Sequence, residues 1–397
     1  MQKTILSTAV ALLTLTSVSL HAQEAKPRSG YQFTNVAEVK ATPVKNQAST
    51  GTCWCFATVS FLESELLRMG KPEYDLSEMY IVHNAYLDKA QRYFRFQGVN
   101  NFGQGGQAHD VTNMIRKYGV MPESAYGGLN YGTTTHSHGE MVSGLKGYLD
   151  AINKSRSLTT AWPDAYKAIV ETYLGKVPEK FTYEGKEYTP VTFAQSLGLN
   201  PDDYIELTSY QAYPFYKQVE LEIPDNWSHN LYYNVPLNDL MAIINNALQN
   251  GYSVAWDGDV SEKGFSHSNG LALLPTDQPE NMSGSDRARF EQMSAADQQS
   301  QMYSFVSPIP ELQVNDQNRQ ETFDNRQSTD DHLMHLTGIL KDQNGTLYYK
   351  TKNSWGTARN PFDGYLYMSE PYVKMKTTAV LVHKNAIPKD IQKKLGL

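Results

Sequence analysis

Cysteine is scarce in this 397-residue chain: Cys53 and Cys55 are the only two. A single residue separates them, a spacing poorly suited to a bridge, and on a helix their Cβ atoms point to different faces. No disulfide framework follows, so stability rests on the core. The pair is not a CxxC motif, which argues against thioredoxin-like chemistry. Two cysteines and scattered histidines give no metal-ligand spacing, so neither a metal nor a cofactor is expected. Beyond residue 22 no stretch approaches 18 uninterrupted apolar residues, and stable membrane insertion is not expected there. Excess positive charge is also missing. With 35 Lys and Arg against 42 Asp and Glu, the net charge is −7, which argues against a nucleic-acid surface.

What is present begins with Met1–Ala22, where Lys3 precedes an apolar run, Ile5–Leu20, and small Ala22 precedes Gln23. This pattern predicts an export signal, with a mature chain starting near Gln23 and a periplasmic or secreted bacterial location. The whole chain is 40% hydrophobic with 26 Tyr and 5 Trp, enough for a sizeable core and two lobes. The expected class is α+β. Helical patterns dominate 43–200 and short strands, read as an antiparallel or barrel-like sheet, dominate 205–383, with a long polar insertion over 270–330 and a short tail over 384–397.

Pro43–Met69 holds both cysteines. A polar turn containing Gly51 leads into apolar residues at helical spacing, predicting a helix from about Cys53 to Met69. A cysteine in the first helical turn meets unpaired N–H groups and the positive end of the dipole, which favour a thiolate. Gly51 is expected to let the chain bend tightly before it. Gln47, six residues upstream, is placed to aim its amide at the same space and form an oxyanion hole with the Cys53 N–H. A buried packing cysteine explains the segment equally well. Cys55 is read as packing.

A thiolate nucleophile needs an imidazole and a group to orient it. His332 opens the apolar run HLMHLTGIL, and Asn353 and Trp355 close YYKTKNSWG. Neighbouring strands would bring a histidine and an asparagine side by side, with the indole covering their hydrogen bond. His335 competes with His332, since a spacing of three puts them on opposite faces of a strand. His109, after the glycine-dense stretch FQGVNNFGQGG, is a weaker rival.

Taken together, PVKNQ…GTCWCF, GQGGQAHDVTNMIRKYGVMP, HLMHLTGI and KNSWG resemble the papain-like cysteine peptidases, in their bleomycin hydrolase/aminopeptidase C branch. The likeness runs from about Lys40 to Lys389. It implies a two-lobed fold, helical and sheet-like, with the cleft between the lobes. It further implies Cys53 as nucleophile, His332 rather than His335 as catalytic histidine, Asn353 as its orienting group, and Gln47 as oxyanion donor. Trp355 then shields the site, and Gly105 and Gly106 line the cleft and pair with substrate backbone. The implied activity is removal of N-terminal residues from peptides. Alternatives are a cysteine endopeptidase or broad-specificity peptidase with an open cleft, a non-peptidase amide hydrolase or acyltransferase, and a non-catalytic binding scaffold. The family also implies a homo-oligomer, often a hexamer.

The sequence departs from papain-like patterns in three places. Thr50 stands where many papain-like enzymes carry another cysteine, and His332 follows Cys53 by 279 residues, where papain and cathepsins have about 130–150. The export signal contrasts with a branch that is usually cytosolic. The tail matters as well. In the family a C-terminal carboxylate anchors the substrate amine, yet only nine residues follow Pro388 here.

Overall fold

The computed structural model describes residues 30–277, 282 and 284–397; the export signal read at 1–22 lies outside the described residues. A short strand β1, Thr34–Glu38, precedes the central helix α1, Cys53–Arg68. Nearly every residue of α1 is buried, carboxylates included. Glu63 is satisfied by Thr42 Oγ1 at 2.5 Å and the Leu76 N–H at 2.9 Å, and Glu65 by Arg68 at 2.7 Å.

Around α1 pack α2, Glu78–Arg95, and α3, Ala108–Tyr118. Ser77 caps α2 by accepting from the Tyr80 N–H at 3.0 Å, and at the start of α3 the Gln107 N–H donates to Asp110 Oδ2 at 2.8 Å. Next come α4, Gly139–Ile152, and α5, Trp162–Leu174, whose Pro163 sits in its first turn, where a missing N–H costs nothing. The hairpin expected around Gly185 forms as β2, Phe181–Tyr183, and β3, Lys186–Tyr188, and α6 spans Pro190–Leu197.

The strand-rich part starts with β4, Tyr204–Thr208, β5, Lys217–Glu220, and β6, Leu231–Asn234. It continues through α7, Leu237–Gln249, β7, Val254–Gly258, β8, Phe265–Ser266, and β9, Leu271–Ala272. The insertion contributes three short helices: α8, Gly284–Glu291, α9, Ala295–Met302, and α10, Asp316–Asp324. Arg319 is buried and ties α10 to the sheet by donating to the carbonyls of Ser209, Lys374, Met375 and Thr377. The chain ends with β10, His332–Lys341, β11, Leu347–Lys352, β12, Tyr365–Ser369, α11, Glu370–Lys376, β13, Thr377–His383, and α12, Lys389–Leu395.

Eleven strands form one sheet in the order β5-β6-β4-β13-β7-β10-β11-β12-β9-β8, with β1 also paired to β10. The expected antiparallel sheet forms only in part, because β4 pairs β6 and β9 pairs β12 in parallel. Antiparallel β5–β6 pairing puts β5 at the sheet edge and lays β6 beside β4 in the same direction.

The two faces of the central strands carry different cores. Leu333 and Ala255 join the core around α1, whereas Met334, Val254 and Trp256 join the one around α7. The expected tail is instead α12, docked on the α7 core through Ile391 and Leu395. Lys394 reaches Asp239 on α7 at 3.2 Å, and the Leu397 N–H folds back onto the Gln392 carbonyl at 3.1 Å. The chain terminus therefore lies across the sheet from α1.

Candidate active site

Cys53 is the first residue of α1, and no side chain caps that end. The N–H groups of Trp54 and Leu333 turn toward its sulfur. The Leu333 contact brings the thiol against the start of β10, one residue from His332. His332 Nε2–H donates to Asn353 Oδ1 at 2.8 Å, which leaves Nδ1 as the free ring nitrogen. The Ser354 N–H holds the same Asn353 oxygen at 2.7 Å. The Trp355 ring lies over His332 at 4.8 Å between centroids. His335 goes elsewhere, to Ser60 Oγ on α1 at 2.9 Å. His109 is also engaged elsewhere, with Glu206 and Ser228.

Gln47 is locked at both ends of its amide. Nε2 donates to the Thr50 carbonyl at 2.6 Å, and Oε1 accepts from Ser354 Oγ at 2.6 Å. One Nε2 hydrogen is left over. The chain bends at Thr50–Gly51 before the helix, as expected, and the left-handed residue of this turn is Ala48, φ 53°. Gly51 is there for clearance: a Cβ would meet Gln104 Cβ at 3.0 Å, and its N–H donates to Gln104 Oε1 at 2.7 Å.

The glycine loop is pinned against this helix start. Trp54 Nε1 donates to the Gln104 carbonyl at 2.9 Å, and buried Lys89 donates to the carbonyls of Gly103 and Gly105. Neither Gly105 nor Gly106 tolerates a side chain. A Cβ on Gly106 would lie 2.8 Å from Asp110 Oδ2 and 3.1 Å from the Trp54 ring.

Two family models match this chain: Papain family cysteine protease over residues 32–187, and Peptidase C1-like family over 283–396. Between them they take in Gln47, Cys53, Gly105, Gly106, His332, Asn353 and Trp355. The chain belongs to the papain-like cysteine peptidases. The peptidase is 24% identical to "Cysteine proteinase 1, mitochondrial" of Saccharomyces cerevisiae, over 91% of this chain and 79% of that one. It is 25% identical to "Aminopeptidase G" of Lactobacillus delbrueckii subsp. lactis, over 90% and 85%. Its fold matches the crystal structure of pepw from a lactobacillus, with a TM-score of 0.69, 20% identity, and coverage of 91% and 84%. These relatives place it in the bleomycin hydrolase/aminopeptidase C branch.

The peptidase's resting electrostatics differ from the expectation of a helix-activated thiolate. Burial pushes the Cys53 thiol up to about 12, and the carboxylates of Asp330 and Asp225 add to that, while the Leu333 and Trp54 N–H groups oppose it. Burial also pushes His332 down to about 4, against the pull of Asn353 and Asp331. Burial thus works against charging either group. Proton transfer between them creates opposite charges together, and their mutual attraction offsets part of that cost.

Sequence reasoning missed several neighbours. Ser354, inside KNSWG, sets both Gln47 and Asn353. His267 sits beside Trp355 at 5.4 Å and near Asn353 Nδ2 at 3.4 Å. Asp330 was visible two residues before His332, but Asp225 and Lys89 carry no local signal at all.

Proposed function

We propose that this peptidase is a cysteine aminopeptidase that releases N-terminal residues from peptides through an acyl-enzyme on Cys53. The observation that carries the reading is the 2.8 Å bond from His332 Nε2–H to Asn353 Oδ1, made beside a thiol at a helix start. The names of its relatives, Aminopeptidase G, W and E, support the exopeptidase mode.

In this mechanism Nδ1 of His332 takes the Cys53 proton as sulfur attacks the scissile carbonyl carbon. The oxyanion receives the spare Gln47 Nε2–H and the Cys53 N–H. His332 then protonates the departing amine. Water, deprotonated by the same imidazole, releases the acyl group and restores the thiol. Trp355 keeps bulk water off the His332–Asn353 bond, and Gly106 offers close-approach backbone to the substrate. Cys53→Ala should abolish hydrolysis of peptide substrates; unchanged turnover refutes the mechanism.

Docking of α12 on the α7 core favours one rival. Without a terminal carboxylate in front of Cys53, the cleft is open to internal peptide bonds unless another acid takes the amine. Comparing a fluorogenic peptide with its N-acetylated twin separates the modes, since equal cleavage of both rules out an aminopeptidase. The proposal includes export, on the pattern of residues 1–22, with N-terminal sequencing of the mature protein expected to start near Gln23. It also includes homo-oligomer assembly, which sedimentation reads.

A further inference from the structure

We propose that Asp225 is the anchor for the substrate's N-terminal ammonium, in place of the carboxylate of Leu397. This rests on the aminopeptidase reading above and names the group that enforces it. Asp225 lies in the connection between β5 and β6, and that connection is clamped onto the glycine loop. Asn101 Nδ2 donates to the Pro224 carbonyl at 2.7 Å, Asn100 Nδ2 to the Trp227 carbonyl at 3.0 Å, and Trp227 Nε1 to Asp110 Oδ2 at 2.7 Å. The result is a carboxylate pressed onto the cleft backbone. A Cβ on Gly105 would fall 1.8 Å from Asp225 Oδ2.

Among the described residues no cation is bonded to these acceptors. Asn101 donates to Asp225 Oδ1 at 3.2 Å, but Oδ2 has no donor among the described residues. Lys89, close enough for its charge to act on Asp225, spends its ammonium on the Gly103 and Gly105 carbonyls and makes no ion pair with it. Gln107, fully buried, donates Nε2 to Asp330 Oδ2 at 2.8 Å, while its Oε1 finds no partner. A half-buried carboxylate oxygen and a buried amide oxygen, both without donors, suit a group with several N–H bonds and a positive charge. Both aspartates sit near enough to Cys53 to raise its thiol.

The same placement excludes longer chains. Asp225 lies against Gly105, at the glycine segment that the family resemblance assigns to substrate backbone. An extended peptide continuing past its first residues meets the carboxylate, whereas a free N-terminus ends on it.

The test uses the full chain and a matched pair of substrates, an aminoacyl-coumarin amide and its N-acetyl twin. Wild type should strongly prefer the free amine; if it does not, the aminopeptidase reading fails before any variant is made. Asp225→Asn should lose about 10- to 100-fold in kcat/KM on the free-amine substrate, the range for a hydrogen bond to a charged group, mostly through KM. Cleavage of the N-acetyl twin should hold or rise, so the preference collapses. Alkylation of Cys53 by iodoacetamide should speed up, because a negative charge near the thiol is gone; this also reports an intact site. Asp225→Ala, which places no amide against Gly105, serves the same comparison. A preference equal to wild type in both variants overturns the proposal. So does parallel loss on both substrates, since an anchor acts only on the charged one.

Discussion

Gln47 gives the sharpest test of the proposed chemistry, because both ends of its amide are held and one Nε2–H is left to donate. Ser354 Oγ fixes Oε1 at 2.6 Å and the Thr50 carbonyl fixes Nε2 at 2.6 Å, so a flipped amide would lose both bonds. The single unspent Nε2–H is preorganised, and stabilising an oxyanion with it requires no reorientation. Removing one such donor elsewhere costs about 10²- to 10³-fold in kcat, or about 2.7–4 kcal/mol of transition-state stabilisation. Gln47→Ala should therefore fall by that factor in kcat with KM nearly unchanged, because the substrate carbonyl gains its charge only in the transition state. Gln47→Glu should be no better, since a carboxylate offers no hydrogen to the oxyanion and repels the Thr50 carbonyl. Ser354→Ala removes only the brace, and one neutral hydrogen bond of about 1 kcal/mol corresponds to about a five-fold loss. Steady-state kinetics on an aminoacyl-coumarin amide read all three variants, with thermal melting as the folding control. A kcat for Gln47→Ala within about three-fold of wild type, or a loss confined to KM, refutes the assignment.

Other outcomes follow from the same geometry. Gly106→Ala should nearly abolish activity, because its Cβ must displace the Trp54 ring or Asp110, found at 3.1 and 2.8 Å; kinetics near the wild-type value would show that the loop yields. Deleting Gly396 and Leu397 should leave the preference for free amines unchanged, since that end lies on the α7 side, whereas Leu395→Ala should destabilise by about 2–4 kcal/mol in urea melts. Acid should unfold the protein early. His83 is buried with both ring nitrogens unpartnered and is held down to about 4 by burial. The unfolded chain then binds more protons than the folded one between about pH 6.5 and 4, so stability is full above that window and lost as pH falls through it, by about 3 kcal/mol from this residue alone. His83→Phe should flatten that slope in melts from pH 7 to 4; an unchanged slope refutes the account.

The local features of the chain were legible because they depend on neighbours in sequence. A polar turn running into helically spaced apolar residues marks α1 to within a residue. Two positive-φ positions in succession, Glu184 and Gly185, give the hairpin seen in FTYEGKEY. Partner choice was not legible. Alternation identifies β4, β5 and β6 as strands but does not say that β6 returns to lie parallel to β4. It ranks His332 and His335 almost equally, and only tertiary contact separates one meeting Asn353 from one meeting Ser60. The tail carried a usable signal, Ile391 and Leu395 at i and i+4, that reads as a docking helix once a partner groove is known. Asp225 had none: its position depends on Asn100 and Asn101, more than a hundred residues earlier, gripping the β5–β6 connection.

The two aspartates also bear on why a buried thiol so unfavourable to ionise serves as a nucleophile. Burial first, and then the nearby carboxylates, raise the cost of ionising the thiol, so an empty cleft disfavours the Cys53 thiolate. An ammonium seated on Asp225 cancels that field while the substrate is bound, and the field returns when the product leaves. A blocked peptide brings no compensating charge and meets the thiol in its less nucleophilic state. Anchoring by a fixed side chain near the thiol thus discriminates against blocked N-termini in kcat as well as KM. The terminal carboxylate on α12, across the sheet, has no such hold on the sulfur.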